Sequence, residues 1–448
     1  MTGLTRALGE FVASLGADGL PPGAADVVKR GTIDCIGVLF AGLDEPATKL
    51  VRDFVRPRAQ GEARMLFRDD FADAPDAALV NATAAHALDY DDTGLDGHPS
   101  VILVPTILAE GERVDAGGAE AIAAYVAGYE VWGELVSREE DKLHGKGWHP
   151  TAVYGTIAAA AAAASLSRLD AARTSTALGI AASMASGVIS NFGSMTKPFQ
   201  AGRAAQNGIL ATRLAAAGLT AAPDALEHRN GFLRAVSPAG RVRLDGAISA
   251  GVDWKITRAG LNVKRYPVCY ALHRAADSLL ALRKVSPFDA ASIDEIEVRV
   301  GRLQANMLRH SRPRNALDAK FSAEFAMASC VIAGRLGLAE LRDDFVLSEA
   351  VQALLPRVRV ATSDESDPEE PLFAPSDRVR VRLRDGRVLD GTEVRHARGH
   401  ARNPVGDEEL QAKFVDCVGT RLPADRRGAL LERLRALARN SIRELYVA

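Results

Sequence analysis

Val153-Tyr-Gly155-Thr-Ile-Ala158-Ala-Ala-Ala-Ala-Ala-Ala164-Ser-Leu166 holds seven consecutive alanines. It is too short and too weakly apolar to span a bilayer. An alanine run in a water-soluble chain instead lets neighbouring helices approach closely. Working outward, the segments up to about residue 260 read as helices rich in Ala and Leu: from Pro21-Pro22 to about Leu43, then Ala77–Tyr90, Ile102–Glu110, Ala119–Ser137, Ala152–Leu166, Asp170–Ser186 and Ala204–Ala217. Proline and glycine fall mainly between them. The first residues read as an amphipathic helix containing Glu10 and not as a signal peptide.

Beyond residue 260 the pattern changes. Ile293–Val300 (IDEIEVRV) alternates apolar and polar residues as a strand does. Val358–Ala361, Arg378–Leu383 and Val388–Val394 repeat that signal, and Asp385-Gly386 marks a hairpin turn between the last two. Helices at Cys269–Val285, Ala316–Ala333 and Ser348–Leu355 are interleaved. From Glu408 the chain returns to helix, Glu408–Val418 and Pro423–Leu445. The fold class is therefore mainly α with a smaller α+β domain. Residues 1–262, completed by 406–448, form the helical domain, and 263–405 form the α+β domain.

Composition removes several classes of function. The chain has 448 residues, and 55 Lys+Arg against 57 Asp+Glu gives a net charge of 55 − 57 = −2. That argues against a nucleic-acid partner, which needs a basic face. An apolar content of 47% excludes a mainly disordered chain. The four Cys (35, 269, 330 and 417) form no CxxC pair and fit a reducing, cytoplasmic setting. No P-loop, no GxGxxG after a strand and no GxSxG occurs, so neither a nucleotide cofactor nor the commonest serine hydrolase is indicated.

Four segments carry candidate chemistry. His86-Ala-Leu-Asp89-Tyr-Asp91-Asp92-Thr93-Gly94-Leu-Asp96-Gly97-His98-Pro99-Ser100 is dense in His and Asp. If the preceding helix continues to Thr93, then His86, Asp89 and Thr93 share one face by i, i+3 and i+4 spacing. The alternative is a solvated acidic helix end. A magnesium motif from Asp91, Asp92 and Asp96 has the wrong spacing and no second copy, so no metal is assigned. His98-Pro99 recurs as His149-Pro150. Proline favours the first helical position, so each His sits at or beside a helix N-terminus, where the dipole lowers its pKa and attracts anions. Each such His is either a base in a carboxylate site or only a cap. Lys197, before Pro198, reads as a loop residue, either solvated or a carboxylate partner; Arg203 and Asn207 begin the next helix. Lys264 lies where composition shifts, followed by Cys269 and His273. Cys269 reads as a buried thiol in preference to a nucleophile.

Taken in order, these segments resemble the MmgE/PrpD family. The resemblance rests on Asp34-Cys35 through Ala41-Gly42, Asn81 through Thr93, His98-Pro99-Ser100, Gly147 through Thr151, Lys197-Pro198-Phe199 and Lys264 through Cys269. It implies a helical domain built from both chain ends, an α+β lid, usually a homodimer, and a site with neither metal nor organic cofactor. It implies catalytic roles for Asp89, Thr93, His98, His149 and Lys197, with Lys264, His273, Arg203 and His86 as substrate-binding candidates. The expected activity is that of a hydro-lyase on a small di- or tricarboxylate, of the 2-methylcitrate dehydratase type. Epimerases and decarboxylases of related polycarboxylates, and a catalytically inactive helical dimer, are the alternatives. Phe325 stands where decarboxylase members carry a tyrosine, which counts against decarboxylation.

Overall fold

The computed structural model describes residues 3–446, which cluster into two compact units. One unit runs to Asn262 and resumes at Gly406; the other is Val263–Val405. No helix among the described residues is long and apolar enough to cross a membrane.

The first unit is a helical bundle. Its helices are α1 (Leu4–Ser14), α2 (Ala24–Ala41), α3 (Pro46–Val55), α4 (Ala74–His86), α5 (Ser100–Val114), α6 (Gly118–Arg138), α7 (Pro150–Leu166), α8 (Ala171–Met184) and α9 (Thr196–Ala216). α1 buries Leu4, Leu8 and Val12, one face at a spacing of four. α7 is buried all round, with Ala158 to Ala164 wholly inaccessible. It packs against α5, α6, α8 and α9. Small residues on the neighbours match the alanines. A Cβ added to Gly208 of α9 would lie 2.3 Å from the Ala159 Cβ, and one on Gly128 of α6 would lie 2.8 Å from the Ala158 carbonyl oxygen. Neither helix can withdraw without opening a void in a close-packed interior. Gly208→Val is therefore expected to destabilise the protein by about 1–3 kcal/mol or more, seen as a lower midpoint in urea unfolding.

The sequence reading of this unit as wholly helical omits a short antiparallel hairpin, β1 (Ala63–Met65) with β2 (Asp70–Ala72), and the helix α3. Three-residue strands have no room to show a period-2 pattern. After Gly406 the helix Asp407–Val418 returns to α2, where Phe414 fits against Gly37 and Lys413 Nζ lies 2.6 Å from Asp34 Oδ1. The expected helix Pro423–Leu445 ends at Arg435 and continues as two single 3₁₀ turns.

The second unit holds a four-stranded sheet in the order β4-β3-β5-β6: β3 (Ile293–Gly301), β4 (Val358–Ser363), β5 (Arg378–Leu383) and β6 (Val388–Asp390). β4 runs parallel to β3, while β5 and β6 are antiparallel to their neighbours. Ile296, Val298, Val300, Val379 and Val381 are fully buried and join the core formed with helices His273–Val285 and Ala323–Ile332. Charged residues alternate with them, and Arg382 pairs with Asp294 at 2.7 Å. The expected helix Ala316–Ala333 is broken, because Ser322 leaves the helical conformation and its Oγ accepts from the Phe325 N–H at 3.1 Å, capping a new start.

Candidate active site

The histidine- and aspartate-rich segment leaves its helix earlier than the spacing argument assumed. α4 stops at His86, and Asp89 has φ +52°. The face expected to carry His86, Asp89 and Thr93 therefore does not exist as a helix face. Leu95 and Asp96 also take positive φ, at +49° and +62°. Each such residue costs about 1 kcal/mol, and strain of this kind concentrates where a side chain must be aimed. The loop is over-determined by its contacts. Thr93 exchanges backbone hydrogen bonds with Asn262 at 2.9 and 2.8 Å, Gly94 pairs with Gly97, and the His98 N–H donates to Thr151 Oγ1 at 3.2 Å. The last contact ties the start of α5 to the start of α7.

The four aspartates of the loop then take four different partners. Asp89 Oδ1 lies 2.6 Å from Lys197 Nζ and 3.8 Å from His98 Nε2. Asp91 lies between two rings, with Oδ1 2.9 Å from His86 Nδ1 and Oδ2 2.7 Å from His98 Nδ1, the latter a close contact without hydrogen-bond alignment. Asp92 turns into the core, where it accepts from the Ser100 hydroxyl, which Tyr125 also meets at 2.8 Å. Burial and then the nearby Asp34 charge push the Asp92 carboxyl well up, which favours its neutral form. Asp96 holds Lys142 at 2.6 Å. Asp91, Asp92 and Asp96 thus form no common metal site.

His149 is the N-cap of α7 and is buried. Its Nδ1 lies 2.7 Å from Gln200 Oε1, while Gln200 Nε2 donates to the Val188 carbonyl at 3.2 Å. The amide thus presents its oxygen to the ring, so His149 carries its proton on Nδ1 and leaves Nε2 a bare lone pair. Burial lowers the His149 pKa well below 6.5, and the charges of Lys197 and His86 add to that. The ring stands edge-on to Phe192 at 4.9 Å and is parallel to His86 at 6.1 Å. His149 Nε2, His86 Nε2 and Thr93 Oγ1 are buried without a hydrogen-bond partner among the described residues. An orphaned buried Nε2 on each of two neighbouring histidines is unusual in a folded protein.

His86 is pushed down to about 4, by burial before any other cause. Burial alone would raise Asp91, yet the two histidines outweigh it and hold that carboxyl well below the usual range. At neutral pH the state consistent with both is a neutral His86 donating its Nδ1–H to ionised Asp91. The folded protein therefore favours uncharged His86. Its contribution to stability is fully present above pH 6.5 and is lost as pH falls towards 4, amounting to roughly 3 kcal/mol for a shift of this size. The melting temperature is expected to fall across that window when followed from pH 7 to pH 4.

Ligand atoms of His86, Asp89, Asp91 and His98 lie within 4.8 Å of one another, a spacing compatible with a metal ion. The Lys197 ammonium, however, already stands against Asp89 as a cation would, and both Nδ1 atoms are turned to Asp91. Lys197 and the N-termini of α5 and α7 are electropositive, a surrounding that attracts an anion in preference to a cation.

Lys197 itself lies in the first turn of α9 and not in a loop. Pro198 is tolerated there because first-turn N–H groups have no intrahelical partner to lose. Starting the helix at Thr196 places Lys197 and Gln200 on one buried face, three residues apart, and turns Arg203 outward. Arg203 is exposed, donates to Gln206 and does not join the cluster. Asn207 is buried and donates to the Met184 carbonyl at 3.1 Å. Lys264 and His273 belong to the second unit. There Lys264 is buried, and His273 packs between Tyr266 and Tyr270 with Nε2 3.4 Å from the Val268 carbonyl oxygen. Cys269 precedes the helix instead of lying within it, and its N–H donates to the Lys320 carbonyl. Asp91 and Gln200 are the members of the cluster to which the sequence reading gave no role. Asp91 was hidden among like residues, and Gln200 was legible only once α9 is begun at Thr196.

Residues 6–245 match the MmgE/PrpD N-terminal domain, and residues 266–437 match the MmgE/PrpD C-terminal domain. The chain is 28% identical over 429 residues to the cis-aconitate decarboxylase of Mus musculus, covering 92% of this chain and 86% of that protein. It is 26% identical to the cis-aconitate decarboxylase of Homo sapiens (86% and 82% covered) and 24% identical to that of Aspergillus terreus (94% and 90%). With both domain matches in chain order over nearly its whole length, the chain belongs to the MmgE/PrpD family.

Proposed function

We propose that this protein is a lyase that moves a proton at a carbon α to a carboxylate of a small di- or tricarboxylate, using its own side chains for the transfer. The observation that carries this reading is His149, a buried neutral imidazole whose tautomer Gln200 fixes and whose Nε2 has no partner. In the hydro-lyase form, Nε2 takes the α-proton. The C–H electron pair passes into the adjacent carboxylate as an enediolate-like dianion, which Lys197, Thr93 and the two helix N-termini stabilise. The pair then returns to form C=C as the β-hydroxyl departs. His98, held between Asp91 and Asp89, supplies the proton that lets it leave as water. Asp89 also holds Lys197 in place.

Decarboxylation of a cis-aconitate-like substrate is the second reading, supported by the relatives' activity. There the proton is delivered to carbon while a C–C bond releases carbon dioxide. Phe325 favours the first form: it is fully buried in the second unit's core, 6.3 Å from the Phe345 ring, and offers no phenol. The test is to offer 2-methylcitrate, citrate, cis-aconitate and iminodisuccinate in D2O and follow products by NMR together with carbon dioxide release. Water elimination or addition supports the hydro-lyase, carbon dioxide the decarboxylase. No turnover and no α-deuteration with any of the four overturns the proposal.

The pH dependence has a definite sign. The base works deprotonated, and its pKa lies below 6.5. The acid limb of kcat/KM should therefore fall below pH 6.5, with no loss attributable to His149 between pH 7 and 8. An acid limb centred above pH 7 would contradict the assignment.

A further inference from the structure

A second concave site lies wholly within the second unit and shares no residue with the cluster above. It is a cavity of about 710 Å³ in which Arg265, Arg283, Lys284, Arg335 and Arg398 face a single carboxylate, Asp277. Lining charge is thus 5 − 1 = +4 in a chain whose net charge is −2. Asp277 is already committed, accepting from the Tyr266 hydroxyl and the Arg398 N–H at 2.6 Å each. Arg335 is held by Glu340 at 2.8 Å. Arg283 and Lys284 have no carboxylate partner among the described residues. Arg283 donates one N–H to the Cys330 carbonyl at 2.6 Å, lies over the Phe288 ring, and keeps a buried Nε–H with no acceptor among the described residues. Lys284 is exposed. Tyr266, Leu280, Leu336 and Val394 give the cavity an apolar stretch of wall, beside the polar Thr392 and Asn403.

We infer that this cavity binds a phosphate-bearing ligand with an apolar or aromatic body, of the nucleoside polyphosphate class. Guanidinium forks match phosphate oxygens two at a time, and neither Arg283 nor Lys284 is neutralised by a carboxylate among the described residues. A small tricarboxylate fits the charge but not the space, since the cavity is drug-sized and its apolar wall gives such a molecule nothing to contact. The ring of the ligand lies on that wall, and its phosphates meet Arg283 and Lys284.

Isothermal titration of the full chain with ATP, inorganic triphosphate and citrate tests this. ATP is expected to bind saturably and triphosphate at least tenfold more weakly. Lys284→Glu, a change at an exposed side chain, is expected to weaken ATP at least tenfold while turnover of the carboxylate substrate stays unchanged. Failure of ATP to saturate, or an unchanged affinity in Lys284→Glu, overturns the site. Triphosphate or citrate binding as tightly as ATP overturns the role given to the apolar wall.

Discussion

His149→Asn is expected to lower kcat by about 10²–10⁴, the range spanned by a positioned acid–base group, with the melting temperature little changed. Asparagine keeps a polar side chain at the α7 N-cap, a position it favours, so the helix start survives while the bare Nε2 is lost. The Gln200 contact makes the result more specific. Gln200→Glu places a carboxylate on Nδ1 and favours the charged ring, so the acid limb of kcat/KM should move to higher pH without abolishing turnover. A merely structural role for His149 predicts neither the size of the first effect nor the direction of the second. Steady-state kinetics from pH 5 to 9 would read both.

Lys197→Met is expected to raise KM and lower kcat together, by about 10² or more in kcat/KM, and also to destabilise the fold. Lys197 and Asp89 are both buried and 2.6 Å apart, so deleting the ammonium strands a carboxylate, at a cost of about 3–5 kcal/mol for a buried pair broken on one side. The double variant Lys197→Met/Asp89→Asn removes both charges and should recover most of that stability but none of the activity. Urea unfolding and kinetics on the wild type and these two variants would separate the two contributions. Equal stability in the single and double variants would show that Asp89 finds another partner when Lys197 is gone.

The architecture was legible because its two signals are strong. Alanine-rich helices separated by Gly and Pro announce a close-packed bundle, and Ile293–Val300 alternates cleanly enough to announce a sheet. The failures around the site share one cause, tertiary contacts that overrule local pattern. Asp89 leaves the helix because Thr93 pairs with Asn262 and Lys197 holds its carboxylate. Lys197 enters a helix despite its proline neighbour because the first turn forgives a missing N–H. Around the candidate site, residue types and order were readable: His86, Asp89, His98, His149 and Lys197 assemble within one unit, Thr93 lies in the same loop as Asp89, and Arg203 stays outside. The partners that give them direction were not readable. Nothing in the spacing says that Asp91 holds two rings, that Asp92 is a core residue bonded to Ser100, or that Gln200 fixes the tautomer of His149.

The central claim is that His149 Nε2 exchanges a proton with a substrate carbon α to a carboxylate. Deuterium incorporation at that carbon, followed by NMR in D2O with the turned-over polycarboxylate, tests it most directly in the wild-type chain and in His149→Asn. The account predicts incorporation by the wild type and none above background by the folded variant. Incorporation at the same rate by His149→Asn would contradict it.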